Sequence, residues 1–569
     1  MTQPLRSANS SPTLSWGQLG AVWRSSAPLF KTWRLGGLLG LLGLLTIASG
    51  SFQVWESVQR GEFISALAAR DPERFQQALF TFIGILVATA LLLSLVAYIR
   101  DTVGLRWRQG LTRQFLESYL DDRHYYRLTL PNSGPPIDNP DQRLSEDIRQ
   151  VTQTLLFVGV IGLESLVQLI GFVSVLWLIS TALTGFLVVY AGVGTAIAVL
   201  IFGQRLTRIN AEQLRREADF RFGLINVREN AESIAFYRGQ QAESAVLNRF
   251  FADVATNFNR LIRWQLGLDF FQNGYQYLTF ILPSLILAPS ILAGQLEVGA
   301  IVQSQAAFDR IWLSLSLIVV QFEQLTTLAA SLGRLGTLAR SLQTLSQQQE
   351  SEIVRQSSST LAVENLTVFT PDGHHHLCEQ VSFTVPSGAS LLVNGPSGVG
   401  KSSLMKTLAG LWTQGHGTLA TPPDTLFLPQ QPYLTLGSLR QQLLYPHGDD
   451  AAAAELLVQV LEQVELPQLA QLPLDTQADW SQRLSLGEQQ RLSFARLLVQ
   501  RPAYAILDEA TSAVTETQEQ HLYQQLVAAQ ITVVSVGHRL SLRPYHTQVL
   551  TLSTDCTWAL QSIPKASHA

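Results

Sequence analysis

Residues 395 to 402 read Gly395-Pro396-Ser397-Gly398-Val399-Gly400-Lys401-Ser402 and lie between an apolar run at 390–393 and a helical run at 403–411. A glycine loop between a strand and a helix is the arrangement that holds nucleotide phosphates. Its glycines let backbone N–H groups surround the phosphates, and the helix presents its positive end to them. Lys401 is expected to reach the outer phosphates and the Ser402 hydroxyl to ligate magnesium. The sequence therefore predicts an ATP site formed by Gly395, Ser397, Gly398, Gly400, Lys401, Ser402 and Ser403.

A pair of carboxylates further along the chain predicts the hydrolytic part of this site. The apolar run at 504–507 ends in Asp508 and Glu509. Asp508 is placed to hold the metal ion and Glu509 to polarise the attacking water, because phosphoryl transfer depends on positioning and electrostatics. At a strand end such a pair is often only a capping acid, but here it follows a phosphate loop. Strand-like runs alternate with helical segments around both motifs, which predicts an α/β domain with a mostly parallel sheet.

The N-terminal half of the chain has a different composition. Only 14% of all residues are charged, against roughly 25% in soluble domains. Two charge-free runs, at 35–55 and 78–99, are each long enough for a helix that crosses a membrane. The run at 155–203 fits two such helices with a turn near 180–185, and two more are expected at 274–294 and 300–322. The sequence therefore predicts an all-α membrane domain of six transmembrane helices fused to the nucleotide-binding domain.

Charge placement predicts the orientation in the membrane. Lys and Arg are frequent in residues 1–34, 100–154 and 204–265, so both termini and the nucleotide-binding domain are expected to be cytoplasmic. Two cysteines exclude a secreted disulfide scaffold, and a net charge of -4 argues against a nucleic-acid partner.

Domain boundaries follow from these composition changes. Four segments are predicted, with polar low-complexity stretches near 347–349 and 357–359 as the linker. They are an N-terminal cytoplasmic segment (1–32), a transmembrane domain (33–325), a helical extension and linker (326–360) and a nucleotide-binding domain (361–569). Within the membrane domain Glu164 is costly unless it faces a bundle interior or a water-filled cavity, so it is a candidate for a transport pathway. The alternative is a structural pair or a snorkelling side chain.

A further motif connects the chain to a known family. Residues 484 to 491, Leu484-Ser485-Leu486-Gly487-Glu488-Gln489-Gln490-Arg491, resemble the ATP-binding-cassette (ABC) signature, with Leu where Gly is commonest. Gln430 and His538 resemble the Q-loop glutamine and the switch histidine of that family, in the family order. The resemblance implies ATP hydrolysis by Glu509 and His538, Mg²⁺ ligated by Ser402, Gln430 and Asp508, adenine stacked on Phe369, and Ser485, Gly487, Glu488 and Gln489 acting on the ATP of a partner chain.

The arrangement of six predicted spans and one cassette resembles a half-transporter of exporter-type fold. The sequence motifs at 139–144, 229–239 and 428–433 resemble those of subfamily D. This group includes fatty-acyl-CoA transporters, a cobalamin transporter and SbmA/BacA-like permeases. Within these motifs, Asp141, Arg143, Glu229 and Gly239 are candidates for coupling the nucleotide-binding domain to the membrane domain. One departure is Thr515, where the family usually has Asp, so hydrolysis is expected to be slow or differently coupled.

The resemblance implies a homodimeric transporter in a lipid bilayer, expected in a bacterial inner membrane. It implies ATP-driven transport of a bulky substrate, with acyl-CoA or fatty acid, cobalamin and peptide as the candidate classes. The alternative is an ATP-gated channel or a membrane-bound regulator that transports nothing actively.

Overall fold

The computed structural model describes residues 30–130, 137–347, 352–370, 375–447, 453–537 and 539–563, together with Gly20 and Ala27. The chain forms two compact units. The first consists of residues 1–121 and 137–343, and the second of residues 122–136 and 344–569.

Helices dominate the described residues up to position 347. They are α1 (Trp33–Ala68), α2 (Pro72–Leu120), α3 (His124–Arg127), α4 (Pro140–Gln142), α5 (Ile148–Ile179), α6 (Thr181–Ile197), α7 (Gln204–Glu229), α8 (Ala231–Tyr237), α9 (Gln240–Leu292), α10 (Gly299–Val320) and α11 (Phe322–Gln347). A 3₁₀ turn at Asp121–Arg123 precedes α3, and π-helical turns at Arg143–Asp147 and Ala198–Gly203 precede α5 and α7.

Local sequence explains where the long helices begin. The carboxylate of Asp71 accepts hydrogen bonds from the backbone N–H groups of Glu73 and Arg74, both at 3.1 Å, and Pro72 occupies the first helical position of α2. Ser180 separates α5 from α6, and its side chain accepts a hydrogen bond from the N–H of Leu183. Both are N-caps of the residue types that satisfy the free N–H groups at a helix start. The turn at Ser180 lies at the start of the range predicted for it.

Five helices in the described part of the chain are long and apolar enough to cross a membrane. They span Arg34–Ala68, Pro72–Arg127, Pro140–Ile179, Thr181–Glu229 and Gln240–Leu292. The sixth predicted span coincides with α10, which is a helix but is not among these five. Its residues include Gln303, Gln305, Asp309 and Arg310, and these polar groups lower its mean hydropathy. Six spans therefore stay a prediction, while a helical membrane region is established.

The described residues of the second unit form three sheets. Its strands are β1 (Ile353–Ser357), β2 (Leu361–Phe369), β3 (His376–Val385), β4 (Ser390–Asn394), β5 (Gly415–Thr421), β6 (Thr425–Leu428), β7 (Gly437–Ser438), β8 (Gln477–Ala478), β9 (Tyr504–Asp508), β10 (Thr532–Val536), β11 (Gln548–Leu552) and β12 (Trp558–Ser562). The six-stranded sheet has the order β12-β11-β4-β10-β9-β6, and only the pair of β11 and β12 is antiparallel. Another sheet has the order β1-β5-β2-β3, and β7 pairs with β8.

Helices alternate with the strands of the second unit. They are α12 (Lys401–Leu408), α13 (Leu439–Leu444), α14 (Ala454–Gln463), α15 (Pro467–Ala470), α16 (Trp480–Arg483), α17 (Leu486–Gln500) and α18 (Glu516–Ala528). Strand β4 is buried on both faces, because Leu391 and Val393 belong to one apolar cluster and Leu392 to the other. Burial on both faces explains why this strand is a continuous apolar run. The α/β architecture predicted for this part of the chain is confirmed.

Candidate ATP site and its neighbourhood

The phosphate loop follows β4 at the carboxyl edge of the parallel sheet. Strands β4 and β9 both pair with β10, so the loop after Asn394 and the carboxylates that end β9 lie one strand apart at the same edge. Ligands bind at this edge in open α/β sheets. Gly395 has a φ of 150°, and a Cβ there would lie 2.5 Å from the carbonyl oxygen of Leu552. Only glycine fits this turn, which fixes the loop close to β11.

Lys401 begins α12 and is buried, with 6% of its surface exposed. Its ammonium group donates hydrogen bonds to the carbonyl oxygens of Gly395 at 2.9 Å and Pro396 at 2.8 Å. Burial lowers the pKa of this lysine, and the carboxylates of Glu509 and Asp508 oppose that shift. The cation is thus held inside the loop that is expected to surround the phosphates.

The groups expected to hold magnesium are close together. The Ser402 hydroxyl donates a hydrogen bond to a carboxylate oxygen of Asp508 at 3.4 Å. Burial raises the pKa of Asp508, whereas the contact with Ser402 lowers it. A hydroxyl and a carboxylate are the hard oxygen ligands that Mg²⁺ takes beside nucleotide phosphates, so this pair fits the ion.

Glu509 directly follows β9 in a left-handed backbone conformation, with a φ of 48°. Its N–H donates to the carbonyl oxygen of Val536 at 3.2 Å. Its carboxylate accepts a hydrogen bond of 2.9 Å from the side-chain amide of Gln430. A left-handed glutamate is uncommon and is maintained only where surrounding contacts fix it. The structure therefore brings together Gln430, Lys401, Ser402, Asp508 and Glu509.

The signature residues form the start of α17. Ser485 and Glu488 make a capping box, in which the Glu488 carboxylate accepts from the Ser485 N–H at 2.9 Å and from its hydroxyl at 2.7 Å. These hydrogen bonds lower the pKa of Glu488. The amide of Gln489 donates to the carbonyl oxygen of Leu484 at 2.8 Å. A Cβ on Gly487 would lie 2.9 Å from the carbonyl oxygen of Ala513, so the absence of a side chain lets α17 approach the loop after Glu509.

Gln490 is a site residue that the sequence analysis did not single out. It is 1% exposed and connects two loops of the site. Its amide nitrogen contacts the Ser512 hydroxyl at 3.0 Å and the carbonyl oxygen of Gln430 at 3.3 Å, while its amide oxygen accepts from the N–H of Ala513 at 2.9 Å. The sequence contained one signal for this role, because Gln490 directly follows Gln489 in the signature motif. Because a buried amide is costly unless it is paired, this bridge fixes both loops.

Three other residues of the nucleotide-binding domain were singled out in the sequence: Phe369, Thr515 and the histidine at position 538. Phe369 ends β2, and its ring centroid lies 4.9 Å from that of His376 and 5.7 Å from that of His416. The Trp412 indole donates a hydrogen bond of 2.9 Å to the Phe369 carbonyl oxygen. Thr515 caps α18 and accepts from the N–H of Gln518 at 3.4 Å. Thr515 therefore has a structural role as a helix cap. The switch-histidine candidate at position 538 lies outside the described residues.

A segment that precedes α3 reaches α12 within the second unit. The Arg123 guanidinium donates to the carbonyl oxygen of Ala409 at 2.8 Å, and Arg355 donates to that of Thr407 at 2.7 Å. Burial, followed by repulsion from Arg123, lowers the pKa of Arg355. Cations are favourable at the carboxyl end of a helix, where carbonyl groups lack partners. The short helix α12 therefore begins with Lys401, and carbonyl groups at its carboxyl end accept hydrogen bonds from Arg123 and Arg355.

The candidate coupling residues differ in burial. Arg143 is 5% exposed; it contacts the carboxylate of Asp138 and donates a hydrogen bond of 2.8 Å to the carbonyl oxygen of Arg334. The Arg334 guanidinium in turn donates to the buried carboxylate of Asp147 at 2.8 Å. Arg143 is thus part of a buried network of the first unit.

The other candidates for coupling or for the transport pathway are less buried than Arg143. Asp141 and Glu229 are exposed, and Gly239 precedes α9. Glu164 accepts hydrogen bonds from the amides of Gln53 at 2.6 Å and Gln168 at 3.1 Å. Both hydrogen bonds are accepted by the Oε1 atom of Glu164, and its place in a transport pathway stays a prediction.

Membrane-length helices in the first unit and a phosphate loop with strand-end carboxylates in the second define the class: a membrane protein with its own P-loop ATPase. The chain matches the family model of the ABC transporter transmembrane region 2 over residues 29–292 and that of the ABC transporter over residues 378–512. It therefore belongs to the ABC transporter family, as a half-transporter that joins one membrane region to one ATPase domain. It is an integral membrane protein that hydrolyses ATP to drive transport.

Three relatives indicate the subfamily of this chain. An uncharacterized ABC transporter ATP-binding protein of Synechocystis is 42% identical, over 96% of this chain and 84% of the relative. A chloroplastic D family member of Arabidopsis thaliana is 36% identical, over 90% of this chain and 82% of the relative. The human lysosomal cobalamin transporter is 31% identical, over 98% of this chain and 99% of the relative. The two named relatives support the assignment to subfamily D, whereas the SbmA/BacA-like part of the expectation finds no support.

Proposed function

We propose that two copies of this chain form a transporter that moves a bulky amphipathic or hydrophilic substrate across a bacterial inner membrane. Acyl-CoA or fatty acid, cobalamin and peptide are the candidate substrates. The observation that carries the proposal is the assembly of Lys401, Ser402, Asp508 and Glu509 at one sheet edge in a chain that also has a signature helix with an exposed Ser485.

Each residue of the site has a proposed role that follows from its contacts. Lys401 neutralises the outer phosphates, and the loop N–H groups and the start of α12 orient them. Mg²⁺ would be held by Ser402, Asp508 and Gln430, and it would supply charge neutralisation for phosphoryl transfer. Glu509 accepts a proton from the attacking water, with its carboxylate oriented by Gln430. Phe369 stacks on adenine, and the histidine at position 538 is assigned to catalysis by its place in the motif order.

Coupling to the membrane region is proposed to start at α12. The helix is proposed to receive the phosphates at its first residue, and the carbonyl oxygen of Ala409, which directly follows its last residue, accepts a hydrogen bond from Arg123. Ser485, Gly487, Glu488 and Gln489 are proposed to act on the ATP of the partner chain, so ATP stabilises a closed dimer and hydrolysis removes that stabilisation. Asp141, Arg143, Glu229 and Gly239 are proposed to transmit this change, and Glu164 to line the pathway.

Transport by reconstituted vesicles tests this proposal and the substrate class together. The purified chain is placed in sealed vesicles, ATP is added outside, and the movement of palmitoyl-CoA, cobalamin and a basic peptide is followed. We expect ATP to drive one class against its gradient and to leave the other two unmoved. Movement that requires ATP but runs only down the gradient would instead favour an ATP-gated channel.

A further inference from the structure

Glu519 is a buried carboxylate on α18, the helix that follows the loop carrying Glu509. Its residue surface is only 1% exposed, whereas Glu516, which lies one turn earlier on the same helix, is exposed. An ionised side chain at this depth is costly unless opposite charges and hydrogen bonds compensate it. The contacts that compensate Glu519 therefore show which parts of the second unit depend on it.

Both carboxylate oxygens of Glu519 accept a hydrogen bond from a hydroxyl group. Oε1 accepts from Thr511 at 2.6 Å, and Oε2 accepts from Ser541 at 2.9 Å. Thr511 is itself 5% exposed and lies two residues after Glu509, in the β9–α18 loop formed by residues 509–515. Ser541 follows β10, the strand that pairs with β9. Glu519 therefore connects the β9–α18 loop with the segment that follows β10.

Arg539 extends this connection along the β9–α18 loop. One guanidinium nitrogen of Arg539 lies 3.6 Å from Oε1 of Glu519. The guanidinium also donates hydrogen bonds to the carbonyl oxygens of Val514 at 3.1 Å and Ser512 at 3.4 Å. The attraction between the opposite charges keeps the guanidinium next to α18, and its planar fork of N–H donors then reaches both carbonyl groups. Glu519 thus holds the loop directly through Thr511 and indirectly through Arg539.

The β9–α18 loop determines the backbone of Glu509. The N–H of Ser512 donates to the carbonyl oxygen of Glu509 at 3.1 Å, which closes a turn directly after β9. Glu509 has a φ of 48°, a conformation that a residue other than glycine keeps only where its surroundings fix it. A displacement of about 1 Å at a reacting group can lower a reaction rate about a hundredfold. The position of the Glu509 carboxylate therefore depends on the loop that Glu519 holds.

The groups expected to bind the phosphates are held by different contacts. Lys401 donates hydrogen bonds within the phosphate loop, and Ser402 donates to Asp508. A change at Glu519 is therefore expected to leave nucleotide binding intact while it disturbs hydrolysis.

We propose that Glu519 is a positioning residue for ATP hydrolysis, which orients Glu509 through Thr511 and Arg539. The inference rests on the proposed role of Glu509 as the general base. ATP binding requires the phosphate loop, whereas hydrolysis also requires that the β9–α18 loop is fixed. The turnover number and the affinity for ATP therefore depend differently on Glu519.

Replacement of Glu519 by glutamine in the purified full-length protein tests this role. Glutamine keeps the shape of the side chain, but it removes the charge that faces Arg539 and replaces one acceptor oxygen by a donor. We expect kcat per bound nucleotide to fall about tenfold or more, while KM for ATP stays within about twofold. Normalising to bound nucleotide excludes unfolded protein from the comparison. Glu516→Gln is the matched control, since Glu516 is exposed on the same helix, and it is expected to retain full hydrolysis.

A double variant measures whether Glu519 acts through Arg539. Effects of independent residues on the rate multiply, whereas effects of residues that act through one contact do not. We expect Glu519→Gln combined with Arg539→Gln to lower kcat per bound nucleotide no more than about twofold beyond the more severe single variant. A loss equal to the product of the two single losses would overturn the inference.

Equal kcat per bound nucleotide in the Glu519→Gln and Glu516→Gln proteins would also overturn it. If the Glu519→Gln protein does not fold, Ser541→Ala decides, because it removes only one hydroxyl contact of the carboxylate. A loss of about threefold in kcat per bound nucleotide then supports the inference, and an unchanged kcat contradicts it.

The Glu509→Gln protein is measured in parallel to separate this inference from the proposed function. Full hydrolysis by the Glu509→Gln protein contradicts the proposed base, whatever the result at Glu519. Hydrolysis that is lost in the Glu509→Gln protein and normal in the Glu519→Gln protein contradicts the positioning role alone.

Discussion

Replacing Glu509 by glutamine is expected to lower ATP hydrolysis by at least about a hundredfold while ATP binding is retained. A positioned general base contributes roughly 10²–10⁴ in rate, and an amide cannot accept the proton of the attacking water. The amide oxygen can still accept the hydrogen bond from Gln430, which joins these two side chains at 2.9 Å. Lys401 and the Ser402–Asp508 pair are unchanged, so the nucleotide is still held. Phosphate release and nucleotide binding by the purified protein are the two measurements.

Glu455→Gln provides the control for the Glu509 variant. Glu455 lies in the first turn of α14, is exposed and belongs to no part of the site. Its replacement is expected to leave hydrolysis within about twofold, because exposed substitutions away from special features change little. Full hydrolysis by the Glu509→Gln protein would contradict the assignment of the base.

The second large effect is expected at Gln490. Leucine at this position keeps most of the side-chain volume but removes the bridge between Gln430 and the Ser512-Ala513 loop. Buried groups left without partners cost about 1–3 kcal/mol each, so the free energy of unfolding of the second unit should fall by a few kcal/mol. Hydrolysis should fall at least about tenfold, since the loops that hold Glu509 and Gln430 lose their common support. Denaturant unfolding and phosphate release measure the two effects.

Gln500→Leu is the matched control for Gln490→Leu. Gln500 is on the same helix and half-buried, and its amide donates hydrogen bonds to the carbonyl oxygens of Tyr445 at 2.7 Å and Leu444 at 3.4 Å, away from the site. We expect a loss of about 1 kcal/mol and normal hydrolysis. If the two variants hydrolyse ATP equally well, Gln490 has no special role in the site.

Residues that act through local backbone geometry could be predicted from the sequence. The glycine loop at 395–400 and the carboxylates after β9 are recognisable because each motif directly follows an apolar strand. The α/β class follows from the same alternation of strands and helices. In both cases the signal extends over a few consecutive residues, where propensity and spacing are informative.

Contacts between distant segments could not be predicted in the same way. Gln490 bonds to Gln430 and Ser512, Arg143 to the carbonyl group of Arg334, and Glu164 to Gln53, and the last two pairs are 191 and 111 residues apart. Such pairs depend on tertiary packing that no local pattern encodes. The sixth span illustrates a different limit, because polar residues within α10 make its composition ambiguous between a membrane helix and a buried one.

Cross-linking between two chains tests most directly the claim that ATP is clamped by a phosphate loop and a partner's signature helix. Ser397→Cys and Leu486→Cys are introduced together, because both native residues are exposed. The background carries Glu509→Gln and lacks the native Cys378 and Cys556. After mild oxidation in membranes, we predict a covalent dimer that forms with ATP and is absent without it. A chain that binds ATP but stays monomeric on the gel under both conditions would contradict the account.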